Sequence, residues 1–250
     1  LIAGGTGLIG RALAARLAAS GREVVLLSRS ASAKAGEREL PPGCRLAVWD
    51  GRTADGWGEL ASGAEAIVNL AGESIAGGRW SAGRKARIVD SRLQSTAAVV
   101  EAIAQAKRPP RVLLQGSAVG FYGDRADELL PEEADAGGGF LGETARAWEA
   151  ASAPAESFGV RRVLARTGVV LAREGGAFPK MALPFRLGAG AILGSGKQWM
   201  PWIHLADEIA ALEFLIGNEA AHGAVNLAAP APATQAAFSR QLAQTLHRPL

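Results

Sequence analysis

The chain has 250 residues, 48% of them hydrophobic and 20% charged, which suits one large packed α/β domain, or one domain with a small appendage, and argues against global disorder. A net charge of +3 gives no reason to expect a nucleic-acid or membrane partner, and no run of about 18 apolar residues offers a membrane span. The single cysteine, Cys44, excludes an intrachain disulfide and a cysteine-based metal site, and it fits a reducing cytoplasm. Leu1 to Ala3 reads as a strand. Leu8 to Ala19 reads as a helix, with Leu8, Leu13 and Leu17 apolar and Gly21 just past its end. Glu23 to Ser28 is a buried strand. Residues 30–44 are polar and contain Pro41-Pro42-Gly43, so they read as a loop. Arg45 to Trp49 is a short strand that turns at Asp50-Gly51, and Ala64 to Leu70 is another strand. Ser81 caps a long helix from about Ala82 to Lys107, stopped by Pro109-Pro110. The densest basic stretch, Arg79, Arg84, Lys85, Arg87 and Arg92, falls at this helix and reads as a solvated face. Arg111 to Gln115 is a strand, and Gly137-Gly138-Gly139 leads into a helix from Phe140 to Phe158. Val160 to Ala165 and Val169 to Ala172 follow as strands.

Strands and helices thus alternate over residues 1–172, which predicts a doubly wound parallel sheet of the Rossmann class, covered on both faces. From residue 173 onward glycines and prolines break the chain; Ala206 to Ile216 and Thr234 to Leu246 are helices, with Val225 to Leu227 a strand between them. Residues 173–250 read as a small C-terminal α/β substrate lobe, interleaved with the sheet. The missing initiator Met and the abrupt ends predict that the chain continues at both termini, with part of the C-terminal region cut away.

A strand followed by Gly4-x-x-Gly7-x-x-Gly10 and a helix is the setting in which a glycine motif binds a dinucleotide. Gly4 allows the tight turn, Gly7 lets the backbone approach a pyrophosphate, and Gly10 lets helix and strand pack. The helix N-terminus offers unpaired N–H groups to the phosphates. The tip of the second strand selects the nucleotide. An acidic residue there favours NAD, but this strand ends in Leu27-Ser28-Arg29. Ser28 can donate a hydrogen bond and Arg29 can fork onto a 2′-phosphate, so NADP is the expected cofactor.

With the glycine loop in place, the chain resembles extended short-chain dehydrogenases/reductases, and within them an atypical epimerase-family, sugar-nucleotide-epimerase-like group. The blocks that carry this are Val68 to Ile75, Asp90 to Thr96, Ser117 to Gly123, Trp148 to Ala151, Pro184 to Gly188 and Gly194 to His204. The resemblance implies an NADP-binding Rossmann domain with a small substrate lobe. It implies cofactor contacts from Gly4, Gly5, Thr6, Gly7, Leu8, Ile9 and Gly10, from Ser28 and Arg29, and from Leu70, Ala71 and Glu73. Asp50, Gly72, Arg92 and Val170 are added to that set. Arg92 stands where ordinary members have an Asn that supports the proton relay. The active Tyr and Lys belong at the start of the Phe140 helix, where this chain has Phe140-Leu141-Gly142-Glu143-Thr144-Ala145.

The only tyrosine, Tyr122, is followed four residues later by Ala126 and not by Lys, so nothing local lowers its pKa of about 10. It is either a structural residue or an acid served by Arg92. Ser117, at the C-terminal end of a central strand, resembles the substrate-polarising serine. Ser117 and Tyr122 are therefore the catalytic candidates. His204 reads as a packing residue that bonds Asp207, and Trp199 as a wall of the substrate cleft. No metal-ligand spacing is present. Two functions remain open: an NADP(H)-dependent oxidoreductase or epimerase-like enzyme with a rearranged proton donor, acting on an unidentified small molecule, and a non-catalytic NADP(H)-binding sensor. A homo-oligomer is compatible with either.

Overall fold

Seven parallel strands form the centre of the computed structural model, which describes residues 1–30 and 39–250. The strands are β1 (Ile2–Ala3), β2 (Val24–Ser28), β3 (Cys44–Val48), β4 (Ala66–Asn69), β5 (Val112–Ala118), β6 (Arg161–Thr167) and, after three short strands, β10 (Gly223–Leu227). They lie in the order β10-β6-β5-β4-β1-β2-β3. The first six therefore follow the doubly wound arrangement, and the chain reverses direction across the sheet between β1 and β4. The polar stretch expected at 30–44 falls mostly on residues 31–38, outside the described residues; Cys44 itself opens β3.

The period of two along each strand assigns side chains to two cores. Leu26, Val68 and Leu114 join Leu13 and Leu17 of α1 (Leu8–Ala19) and Ile209, Leu212 and Ile216 of α5 (Leu205–Gly217). Their chain neighbours Leu27, Ile67 and Leu113 point the other way, onto Ala98, Val99, Ala102 and Ile103 of α2 (Ala82–Gln105) and onto Trp57. Helix α1 ends as its sequence requires. Gly21 adopts φ +84°, its N–H reaches the Ala18 carbonyl and the Arg22 N–H reaches that of Leu17. Ser81 caps α2 by accepting from the Arg84 N–H.

Two expectations shift. The helix expected over 140–158 is an α-helix only from Gly139 to Ala151 (α3), followed by a 3₁₀ stretch at Ala153–Phe158. Pro154 is the reason, since it lacks an N–H and disfavours helical backbone at the residue before it. The boundary at 172/173 is likewise not a boundary in space, because α5 and β10 return to the Rossmann sheet, β10 pairing with β6 over Gly223–Leu227. The small lobe is built from what lies around them. Helix α4 (Phe178–Arg186) packs on α6 (Gln235–Thr245) through Ala182, Phe185, Leu242 and Ala243. β8 (Trp199–Met200) pairs antiparallel with β11 (Ala233–Thr234), and β7 (Val169–Leu171) runs parallel to β9 (Trp202–His204). Among the described residues no helix is long and apolar enough to cross a membrane.

Helix α5 buries an acid. Glu208 is fully buried; the Thr167 hydroxyl donates to its Oε1 at 2.8 Å, and Oε2 has no partner among the described residues. Burial, only partly offset by the Thr167 bond, pushes its pKa up to about 7 from 4.5. Between those two values the folded chain keeps a proton that the unfolded chain has released, so stability falls as pH rises through that window. The full penalty, on the order of 3 kcal/mol, is present above it. Urea midpoints at pH 5 and pH 8 should therefore differ by less in Glu208→Gln than in the parent chain; an equal pH dependence in both would contradict the assignment.

Candidate functional site

The reversal point between β1 and β4 opens a cleft of about 740 Å³. Gly4, Thr6, Gly7, Ser28, Arg29, Asp50, Leu70, Ala71, Gly72 and Glu73, all expected on sequence grounds, line it together. The loop–helix junction is shaped for an anion. Gly7, the N-cap of α1, lines the cleft, and no side chain among the described residues caps the helix there, so its N-terminus is turned to the cleft without a side-chain acceptor.

Gly5, Leu8, Ile9, Gly10, Arg92 and Val170 are not among the lining residues. A Cβ on Gly5 would lie 2.6 Å from the Leu26 side chain, so this glycine fits the loop onto β2. Ile9 and Val170 pack on the core. Leu8 lies under Gly175 and Gly176 of the small lobe. Arg92 stacks over Trp148 at 4.8 Å and donates from Nη1 to the carbonyls of Glu73 and Ile88, at 3.0 Å each. Its pKa is lowered, chiefly by burial and against the pull of Glu73.

The cleft also has walls that the sequence reading did not single out. Arg87, Asp90, Ser91, Gln94 and Ser95 of α2 line it. Their 3-1-3-1 spacing is one helix face, and that was the available signal. Part of the basic stretch thus faces the cleft and is not simply solvated. Glu73 pairs with Arg84 at 3.5 Å and with Arg87 at 3.3 Å. Arg52 enters beside Asp50. The Asp50 carboxylate accepts from the N–H groups of Arg52 and Thr53 at 2.7 and 2.9 Å, and these bonds, Thr53 first, lower its pKa. The Arg29 side chain lies along Gly51, 3.6 Å from where a Cβ would stand. Neither the Arg29 nor the Arg52 guanidinium has a hydrogen-bond or ion-pair partner among the described residues, although both line the cleft.

Two buried polar networks sit at the ends of the strands beyond. In one, Asn69 donates to Thr96 and Gln115 at 3.0 Å each, and the Trp148 indole donates to Thr96 at 3.1 Å. The Asn69 Oδ1 accepts from the Ala71 N–H, which fixes the cleft wall after β4. The other network contains both catalytic candidates. Ser117 donates to Glu149 Oε1 at 2.5 Å. Arg166 donates from Nε and Nη2 to the two oxygens of Glu149, at 2.9 Å each. Its Nη1 reaches the Tyr122 hydroxyl, also at 2.9 Å, and Tyr122 donates to Asn226 Oδ1 at 2.7 Å. The arginine beside Tyr122 is therefore Arg166, and not the Arg92 that sequence position suggested. Burial works against the charge on Arg166, but the bonds to Glu149 and Tyr122 outweigh it and raise its pKa.

His204 is exposed and caps α5, its Nδ1 accepting from the Ala206 N–H at 3.2 Å, a different partner from the expected Asp207. Trp199 is 45% exposed and donates its indole N–H to Asp127, tying β8 to the loop after Tyr122. Among the described residues no group of His, Cys, Asp or Glu could hold a metal ion.

A family model described as the NAD dependent epimerase/dehydratase family matches residues 1–228. Epimerase family protein Mb2239 of Mycobacterium bovis is 40% identical over 248 residues, which are 99% of this chain and 79% of that protein. Epimerase family protein SDR39U1 of Homo sapiens is 38% identical over 252 residues, 99% of this chain and 80% of that protein. The crystal structure of human SDR39U1 (isoform2) with NADPH matches at TM-score 0.81 and 34% identity, covering 99% of this chain and 79% of the other. Thermus thermophilus UDP-glucose 4-epimerase in complex with NAD matches at TM-score 0.80, over 99% of this chain and 83% of the other. Its identity is 20%, so that likeness is one of fold alone.

Proposed function

The chain belongs to the NAD dependent epimerase/dehydratase family, and from that membership we propose that it is an NADP(H)-dependent oxidoreductase of small molecules that works without a Tyr–Lys pair. At the coarser level it is an epimerase-family, NAD(P)-binding, oxidoreductase-like protein. The observation that carries the choice of NADP is the end of β2. No carboxylate stands there to take a ribose 2′-OH, and Arg29 and Arg52, whose guanidinium groups have no partner among the described residues, flank the cleft instead. Two guanidinium groups suit a phosphate monoester, which they can hold in forked geometry. A relative that binds NADPH supports the same choice.

Calorimetry should find NADPH bound more tightly than NADH. Arg29→Ala should weaken NADPH by about 1.5–3 kcal/mol, as for a hydrogen bond to a charged group, and leave NADH nearly unchanged. Equal affinities in the parent chain would sink the NADP reading.

The start of α3 offers neither Tyr nor Lys, and the Tyr122 hydroxyl is held by Asn226 and Arg166. That observation also favours a second reading, a non-catalytic NADP(H)-binding sensor that kept the fold and lost the chemistry. Consumption of NADPH with any carbonyl substrate, or of NADP⁺ with any alcohol, separates the two. The single cysteine fits action in a reducing compartment.

A further inference from the structure

The loop after β4 lines the cleft at Glu73 and runs on to the cap of α2 at Ser81. On the way it meets two other elements. Its Trp80 packs edge-on against Phe140 at the start of α3, with ring centroids 5.3 Å apart and planes at 66°. Next to Phe140, Leu141 lies against the turn that follows β5, where a Cβ on Gly120 would stand 3.4 Å from it. From α4, the Lys180 ammonium donates to the Ala76 carbonyl of the same loop at 2.8 Å. A corner thus forms beyond the carboxyl ends of β4 and β5, where ligands bind in open α/β sheets. Strand β2, which leads to Arg29, lies on the far side of β1, so the corner is at the end away from the nucleotide-selecting arginines.

The corner is apolar and exposed. Ile75, Trp80 and Leu141 are 41%, 43% and 37% exposed, although a folded chain buries such side chains where it can. The one polar atom among them, the Trp80 indole N–H, already donates to the Ile75 carbonyl at 2.9 Å. A sugar ring would find no partners on these side chains for its hydroxyls and would lose its bonds to water. Charge comes from the rim. Lys85, half-buried, holds its ammonium 5.1 Å over the Phe140 ring. The acid of the loop, Glu73, is taken by Arg84 and Arg87, and no ion pair joins Lys85 or Lys180 to a carboxylate among the described residues. An apolar body carrying an anionic group answers both features. A second copy of the chain answers them less well, since four partly exposed side chains fall far short of the roughly 800 Å² per partner that a stable interface takes.

We propose that this corner holds the body of the substrate, and that the substrate class is a small apolar or aromatic anion, such as an aryl carboxylate, and not a sugar nucleotide. Trp80, Phe140, Leu141 and Ile75 take the apolar body, and Lys85 takes the charge. The inference rests on the NADP(H)-dependent reading above, which makes the bound molecule a substrate.

The probe is 1-anilinonaphthalene-8-sulfonate, an aromatic anion that brightens on leaving water. It is titrated into the full chain with NADP⁺ at saturation, which keeps the dye out of the nucleotide cleft. NADP⁺ binding is followed by calorimetry, and each variant is checked by a thermal melt. The parent chain should bind about one dye, and 2-naphthoate should displace it. Trp80→Ala and Phe140→Ala should each weaken the dye by about tenfold, the effect of removing a large apolar contact. Lys85→Met, which keeps the apolar stem, should weaken the dye by about fivefold and leave the uncharged N-phenyl-1-naphthylamine within about twofold. Phe214→Ala, on the exposed side of α5, should change nothing. Dye affinity unaltered in both Trp80→Ala and Phe140→Ala overturns the proposal, as does no dye binding at all. Displacement by NADP⁺, or by UDP-glucose as readily as by 2-naphthoate, also overturns it. So does a parent oligomer that Trp80→Ala breaks up in sedimentation, which would make a second copy the occupant. A chain that binds the dye in this corner but no NADP⁺ overturns the nucleotide reading instead.

Discussion

Gly7→Val is expected to remove dinucleotide binding, by at least about a hundredfold, and to leave the protein folded. The glycines of the loop divide by what a Cβ would meet. On Gly10 it would lie 2.5 Å from the Gly4 carbonyl oxygen and 2.7 Å from the Gly5 Cα, inside the junction of β1 and α1. On Gly4, at φ +76°, it would lie 2.7 Å from the Leu70 carbonyl oxygen. Those positions are filled by the protein's own backbone, so a side chain there is a folding defect. Gly7 differs. It is exposed, its φ of −75° suits any residue, and a Cβ would meet only the Gly4 carbonyl oxygen at 3.3 Å. What a valine there would obstruct is the cleft, where a pyrophosphate would approach the first turn of α1. The stability change should stay near that of a surface substitution, about 0.5 kcal/mol, while Gly10→Val unfolds the chain or nearly so. Titration of NADPH against nicotinamide fluorescence, with a thermal melt of the same sample, reads both quantities. Binding retained by folded Gly7→Val would show that this loop does not hold the phosphates.

The loop was legible because its signal is local: four glycines within seven residues, a strand before and a helix after. The apolar run of β2 and the strands at Ala64 to Leu70 and Arg111 to Gln115 were legible for the same reason, being local runs of strand-forming residues. The network around Ser117 had no such signal. Ser117, Glu149 and Arg166 are 17 to 49 residues apart in sequence and come together only because β5 and β6 pair in register and α3 packs across them. Assigning Arg92 to Tyr122 followed sequence position in a resembling family. The fold instead turns Arg92 onto Trp148 and brings Arg166 from the neighbouring strand. How the C-terminal lobe interleaves with the sheet was illegible for a related reason. Val225 to Leu227 reads as a strand in any setting, and only pairing with β6 reveals which sheet owns it.

Arg166→Met is expected to destabilise the fold by about 3–5 kcal/mol, far more than loss of any surface ion pair. The contrast lies in exposure. In the pair between Arg45 and Glu23 the side chains are 51% and 74% exposed, and water replaces either partner at little loss, about 0–1 kcal/mol. The side chains of Arg166 and Glu149 are 6% and 8% exposed. Without the guanidinium, Glu149 would keep one hydrogen bond, from Ser117, and its charge would have no counterion. The Glu132 carbonyl and the Tyr122 hydroxyl would each lose a donor, and Phe121 the cation that stacks on it at 3.6 Å. The loss is therefore mostly the penalty of stranding polar groups, and not the net worth of the pair. That distinction has a measurable consequence. Removing both charges, as Glu149→Leu with Arg166→Met, should be less destabilising than the sum of the two single changes, because neither charge is then stranded. Urea unfolding of the four proteins gives the cycle. A single Arg166→Met within about 1 kcal/mol of the parent would mean that Glu149 finds water or a proton in place of its partner. The same carboxylate could then no longer be the fixed acceptor that holds the Ser117 hydrogen.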